Sequence, residues 1–255
     1  MLKEYRAALD AIDDRIIAAF SERMDLVDAI GAWKKTQHLD AFDPDREAQM
    51  LDRLCAKVPE NRKDAVKALY AAILAISKAQ QRFQNTNIVL IGMPGSGKTS
   101  VARHLSVLLD RPIASTDEEA ERRIGGTIES LFRTQGEAAF RAIETEVVRD
   151  LSSVWGSVIA TGGGTVLSED NRRILRENSR IYYIKRPLDE LDTAGRPLSQ
   201  GEGALARLYE QRRGIYEGFS DVQIEADSDF SLTAQRIAEE FQSFFHVHIQ
   251  KERRD

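Results

Sequence analysis

Apolar residues recur at steps of three and four through the first third of the chain, which therefore reads as helix almost throughout. From Leu2 to about Lys35 the positions Leu9, Ile12, Ile16, Phe20, Val27 and Ile30 keep that spacing with no proline among them, so one long helix is predicted. Gly31 inside it costs about 1 kcal/mol against alanine, which the rest of the pattern absorbs. A break is expected over 37–42. Asp43-Pro44 then supplies an N-cap with proline at the first helical position, opening a second helix to about Lys57 that Val58-Pro59 closes. A third helix is predicted from about Asn61 to Phe83. At Asn87 the period changes: Asn87 to Ile91 is a short apolar run typical of a buried strand, and Ser100 to Asp110 returns to helical spacing through Val101, Leu105, Leu108 and Leu109. The boundaries expected from these changes are a helical domain over 1–84, a linker over 85–87, an α/β domain over 88–247 and a tail over 248–255.

Charge alters the reading of the long helix, because Arg6, Arg23 and Lys34 fall in its apolar stripe. A surface helix carries its cations on the other face, and buried cations need anionic partners. Long basic stems snorkelling at the edge of the stripe, or pairing with neighbouring acids, would account for any one of them. For three together, a site for an anionic small molecule is the better account. At about 1.5 Å per residue, Arg23 and Lys34 stand about 16 Å apart and could grip one ligand, whereas Arg6 lies about 26 Å from Arg23. An antiparallel helix from a second copy would bring its own Arg6 to that site. A helix of about 50 Å is also too long for eighty or so residues to cover, so an intertwined homodimer through the N-terminal helices is expected.

Between the predicted strand and the next helix lies Gly92-Met93-Pro94-Gly95-Ser96-Gly97-Lys98-Thr99, a phosphate-binding loop in the context it requires. Backbone N–H groups around Gly92, Gly95, Ser96 and Gly97 would cradle the phosphates of a nucleotide at a helix N-terminus, with Lys98 reaching the terminal phosphates and the Thr99 hydroxyl on Mg²⁺. Composition narrows the surroundings. With 255 residues there is length for one or two domains, and a net charge of −5 with no sustained basic run speaks against nucleic acid as a partner. The single cysteine, Cys55, excludes an internal disulfide and sits in a helical pattern as a core residue. No apolar run is long enough to cross a membrane, and the charged start lacks a secretory segment, so a cytoplasmic location is expected.

With those residues in hand, Leu2 to Phe83 resembles the all-helical class of chorismate mutase. The resemblance rests on Arg6, Leu9-Asp10-Ala11-Ile12-Asp13, Arg23, Gly31, Lys34, Asp43-Pro44-Asp45-Arg46-Glu47, and Ser77 with Gln81 one turn later. It implies three helices that dimerise into two sites, each completed by an arginine from the other copy, and rearrangement of chorismate to prephenate without a cofactor. By the same resemblance Arg6 and Arg23 bind the two carboxylates, Lys34 and Gln81 meet the ether oxygen whose bond breaks, Glu47 holds the ring hydroxyl, and Asp43, Arg46 and Ser77 support them. A pericyclic reaction needs a compact conformer held in place and fixed donors where charge develops, which suits those residue types. Isochorismate pyruvate lyase resembles the same domain; the intact Asp-Pro-Asp-Arg-Glu segment leans toward the mutase.

Residues 87–230 resemble shikimate kinase. The motifs are the phosphate loop, Thr116-Asp117, Gly136-Glu137, Phe140-Arg141 to Glu144, Thr161-Gly162-Gly163-Gly164, Arg196-Pro197-Leu198, and Arg212 ahead of Tyr216, in the family's order. The resemblance implies ATP-dependent phosphorylation of shikimate on a parallel-sheet α/β fold. Arg141 and Arg212 would clamp the carboxylate, Gly162, Gly163 and Gly164 would let backbone approach the ring, and Asp117 would bind ring hydroxyls and accept a proton. Lys98, Mg²⁺ and the lid residue Arg196 would offset charge on the transferring phosphoryl group. A helix N-cap is the alternative role for Asp117, and a solvated helix face the alternative for Arg212. Two departures stand out. The aspartate usual two positions before Asp117 is here Ser115, which can hold Mg²⁺ only through water, and the segment from Ile184 to Arg196 is short. The expected protein is an all-α three-helix domain followed by an α/β kinase domain, a bifunctional enzyme acting on chorismate, shikimate and ATP. The competing class keeps the mutase but turns the second domain into a sensor of shikimate or ATP, or a kinase for another small acid.

Overall fold

A computed structural model of the chain describes residues 1–37, 39, 43–192 and 203–251, with backbone alone at 35 and 246–251. It separates into two compact units, Met1–Gln84 with Phe244–Asp255, and Asn85–Ser243.

The helical unit is built from α1 (Leu2–Thr36), α2 (Pro44–Cys55) and α3 (Lys63–Asn85), with a 3₁₀ turn at Glu60–Arg62 before α3. Asp43 caps α2, its carboxylate accepting from the Arg46 N–H at 3.0 Å, and Pro44 opens the helix. Most of the break expected over 37–42 lies outside the described residues. The C-terminal half of α1 lies along α3: Val27 and Cys55 are buried, and a Cβ at Gly31 would stand 3.5 Å from Gln81 Cγ. In the N-terminal half the apolar stripe does not face a core within one chain, since Leu9 is 58% exposed, Ile12 41% and Ile16 55%.

Where a linker over 85–87 was expected, α3 runs on to Asn85 and β1 (Asn87–Ile91) opens at once. Asn87 is fully buried in the second unit, where its side chain accepts from Ser157 N–H at 2.8 Å. The second unit continues with α4 (Lys98–Leu109), β2 (Ile113–Ser115), α5 (Thr116–Ile124), α6 (Ile128–Ser153), β3 (Val158–Ala160), α7 (Glu169–Glu177), β4 (Ser179–Lys185), α8 (Ala204–Phe219), β5 (Val222–Glu225) and, as far as Ser243, α9 (Phe230–Lys251). The expected tail over 248–255 is helical as far as Lys251, and the rest of it lies outside the described residues.

The five strands form one parallel sheet in the order β2-β3-β1-β4-β5, with Leu90 of β1 opposite Ala160 on one side and Tyr182 on the other. All five residues of β1 are buried, as expected of a central parallel strand covered on both faces. In such a sheet the crevice at the carboxyl ends of the strands is where ligands bind. The phosphate loop follows β1, Thr116-Asp117 follows β2 and the glycine triplet follows β3, so three separate motifs reach that edge.

Candidate functional site

At the carboxyl edge of the sheet lies a cleft of about 1010 Å³ lined by the phosphate loop, Asp117, Arg141, the glycine triplet and Arg212. The loop reaches its shape through Gly92, Gly95 and Gly97, at φ 144°, 82° and 87°, values that favour glycine. Two of these also lack room: a Cβ on Gly92 would stand 2.6 Å from the Ile184 carbonyl oxygen, and one on Gly97 would stand 2.3 Å from the Phe230 ring. Lys98 is buried at the start of α4 and its ammonium donates to the carbonyls of Gly92 and Met93 at 3.0 and 2.8 Å. Ser96 is fully buried, and its hydroxyl has no hydrogen-bond partner among the described residues.

Ser115 caps α5, accepting from Glu118 N–H at 3.4 Å. Asp117 is therefore not the N-cap, and its carboxylate lies in the cleft against Gly162, where a Cβ would fall 2.3 Å from Oδ1. The next two glycines are equally confined: a Cβ on Gly163 would meet the Pro94 ring at 2.7 Å, and one on Gly164 the Arg141 guanidinium at 2.9 Å. A chain of buried hydrogen bonds holds this wall. Gly162 N–H donates to Thr116 Oγ1 at 2.7 Å, Thr165 Oγ1 donates to Glu144 at 2.8 Å, and Arg141 Nη1 donates to the other Glu144 oxygen at 2.7 Å. Burial works to lower the Arg141 pKa, yet the Glu144 and Glu137 carboxylates outweigh it and hold it above its ordinary value.

Arg212 is 6% exposed and lines the cleft from α8, so it is not on a solvated face. One turn on, the Tyr216 hydroxyl donates to the Gly163 carbonyl at 2.6 Å. Burial raises the Tyr216 pKa, with Arg212 pulling the other way. Arg196 lies outside the described residues. Sequence reasoning did not single out Glu144 and Thr165 as the pair orienting Arg141, nor Arg186 and Phe230, whose guanidinium and ring stack at 5.1 Å at the phosphate-loop end of the cleft. The i, i+3 spacing of Arg141 and Glu144 was the signal available for the first pair.

The donor set suits Mg²⁺. Thr99, Ser115 and Asp117 line one cleft, and among the described residues no group of three or more His, Cys, Asp or Glu could hold a metal. Few carboxylates and several hydroxyls suit an ion that keeps its waters and takes phosphate oxygens.

In the helical unit, Arg23 Nη1 donates to Ser77 Oγ at 2.5 Å, and Ser77 donates to the Ile73 carbonyl at 2.7 Å. The Gln81 amide, also buried, reaches the Val27 carbonyl at 3.4 Å. Arg23, Ser77 and Gln81 thus share the α1–α3 seam, with Lys34 half-buried further along α1. Glu47 is half-buried on the first turn of α2 and pairs with Lys78 at 3.1 Å, a partner the sequence reading did not name. Asp43 and Arg46 are exposed beside it. Arg6 is exposed near the start of α1 and is not brought to the others within one chain.

Comparison with known proteins gives two family matches: shikimate kinase over residues 94–245 and chorismate mutase type II over residues 5–82. The chain is 35% identical over 153 residues to a shikimate kinase of Dictyoglomus turgidum, covering 56% of this chain and 89% of that protein. It is 36% identical over 174 residues to one of Caldicellulosiruptor bescii, covering 65% and 97%. Among solved structures, a shikimate kinase from Acinetobacter baumannii in complex with shikimate is 34% identical, with TM-score 0.61 over 65% of this chain and 97% of that one. No helix among the described residues is long and apolar enough to cross a membrane.

Proposed function

The chain belongs to the shikimate kinase family and carries a chorismate mutase type II domain ahead of the kinase, and we propose that the residues assembled above divide two reactions between its two units. It is a bifunctional enzyme of aromatic amino-acid biosynthesis, a transferase and an isomerase. The observation that carries the residue assignment is the single cleft in which the phosphate loop, Asp117, Arg141, Arg212 and the glycine triplet converge.

In the kinase, N–H groups at the start of α4 and Lys98 hold the phosphates of ATP, where the helix dipole favours negative charge. Arg141 and Arg212 clamp the carboxylate of shikimate, and guanidinium forks suit that group. Gly162, Gly163 and Gly164 let Asp117, Pro94 and Arg141 close against the backbone of that wall, while Asp117 orients the attacking hydroxyl and takes its proton. Thr99, with Ser115 through water, would hold Mg²⁺, which offsets charge on the phosphates when bound. Arg196 is assigned to the transferring phosphoryl group from its motif. The tight packing of the glycines fixes Asp117 relative to the substrate, and positioning of that kind is the main catalytic resource in phosphoryl transfer.

In the mutase, Arg23, held by Ser77, binds one carboxylate, Lys34 and Gln81 meet the charge growing on the ether oxygen, and Glu47 takes the ring hydroxyl. Arg6 arrives from a second copy. Supporting this, Leu2, Tyr5, Leu9, Ile12, Ile16, Leu26, Ile30 and Trp33 are all exposed on one chain and fall in a period of 3.5, the repeat of a helix-pairing seam. The test is to measure ADP formation with ATP and Mg²⁺, with and without shikimate, alongside prephenate formation from chorismate. Shikimate-dependent ADP that is lost in Asp117→Asn is expected. ADP formation indifferent to shikimate would overturn the kinase assignment, and sedimentation as a monomer would overturn the dimer.

A further inference from the structure

Glu47 poses an electrostatic problem for the mutase reading, on which this inference rests. A carboxylate assigned to the ring hydroxyl would sit in a site meant for a substrate with two carboxylates of its own, and like charges at close range in a half-buried site repel strongly. The structure supplies a cation at that point. Lys78 Nζ lies 3.1 Å from Glu47 Oε2, with the side chains 29% and 24% exposed, so the pair is sheltered from solvent screening to a degree that surface pairs are not. Lys78 follows Ser77 and precedes Gln81 by three residues, so it belongs to the turn of α3 that carries the proposed site residues. Glu47 comes from α2, and the pair ties the two helices together.

We propose that Lys78 is a positioning residue of the mutase: its ammonium neutralises Glu47 and aims it as a hydrogen-bond acceptor, so that the hydroxyl can be read without repelling a dianionic substrate. A lysine suits this use, since its ammonium is a compact point charge with three donors, one of which Glu47 occupies. The role is indirect, acting through Glu47, and this separates it from Arg23 and Lys34.

The experiment is a double-mutant cycle on the full chain, with prephenate formation from chorismate as the readout. Lys78→Met keeps the length of the stem and is expected to raise KM about tenfold with a smaller change in kcat. Lys78→Arg is expected to restore most of the loss. In a Glu47→Gln background, where there is no charge to neutralise, Lys78→Met is expected to change KM little. An equal penalty in both backgrounds would overturn the proposal, because Lys78 would then act on the substrate directly or through the fold. So would a KM unchanged by Lys78→Met. Thermal melts followed by circular dichroism separate loss of fold from loss of charge pairing. Absence of prephenate with the unmutated chain would instead overturn the mutase reading itself, before any variant is made.

Discussion

Gly162 has no space for a side chain because the Asp117 carboxylate, proposed to take the proton, occupies it: Oδ1 lies 2.3 Å from where a Cβ would be. Gly162→Ala must therefore displace Asp117, and a shift of about 1 Å in a reacting group costs about 10²-fold in rate. Shikimate-dependent ADP formation is expected to fall by about that factor with the thermal melt unchanged; activity within about threefold of the parent would remove Asp117 from the reaction centre. Ser115 permits the opposite change. Its side chain caps α5, aspartate caps helices as well as serine does, and a carboxylate here would add a charged oxygen to the cleft that Thr99 also lines. Ser115→Asp should lower the Mg²⁺ concentration giving half-maximal kinase rate by about threefold or more, since charge count tunes such affinities. An unchanged or higher Mg²⁺ requirement would mean that position 115 does not face the ion. The motifs made Asp117 and the triplet legible in the sequence, but not why three glycines stand in a row. Each is confined by a different neighbour, Asp117, Pro94 and Arg141, and those contacts join segments far apart in the chain.

At the level of elements, the sequence showed best what depends on local periodicity. The long helix, the Asp43-Pro44 cap of α2 and strand β1 all follow from spacing and cap chemistry within a few residues. The bend in α6 does not. Gly136 has φ 82° and ψ 176° within a span that is otherwise helical, a region of backbone space nearly reserved for glycine. The bend separates the segment carrying Phe132 and Arg133 from the one carrying Arg141, and all three line the cleft. Among the described residues no atom beyond the local helix backbone lies within 4 Å of a Cβ on Gly136, so Gly136→Ala meets strain of backbone alone. A loss of about 1–3 kcal/mol in the urea unfolding of the kinase unit is expected, together with a raised KM for shikimate as the two halves of α6 straighten. Unfolding indistinguishable from the parent would show that the bend is set by packing and tolerates a side chain.

For the whole molecule, the proposed assignments give the two activities different needs for a second chain. Every described residue assigned to the kinase falls within Asn85–Ser243 of one chain, whereas the mutase assignment takes Arg6 from a second copy. The apolar seam of α1 was readable from the sequence as a stripe, and the helix's length together with the distance of Arg6 from Arg23 already pointed to a second copy. Periodicity alone says that a face is buried without saying by what, and the exposure of Leu9, Ile12 and Ile16 in the folded chain adds to the case for a second copy as the proposed cover. Ile16 makes this testable because it belongs to the seam and to neither set of substrate contacts. A charge placed in an apolar helix pairing is costly to bury, so Ile16→Glu should favour the monomer. Sedimentation is then expected to show a halved mass, with prephenate formation down by about 10²-fold, as for loss of a positioned catalytic group, and shikimate-dependent ADP formation within about twofold of the parent. Removing divalent metal divides the activities the other way. A chelator should abolish ADP formation, which needs charge offset on the phosphates, and leave prephenate formation intact, since a pericyclic rearrangement held by arginine, lysine and glutamine needs no ion. Loss of both activities on chelation would mean that prephenate formation also needs an ion, and loss of both in Ile16→Glu would mean that the kinase too depends on the assembled dimer.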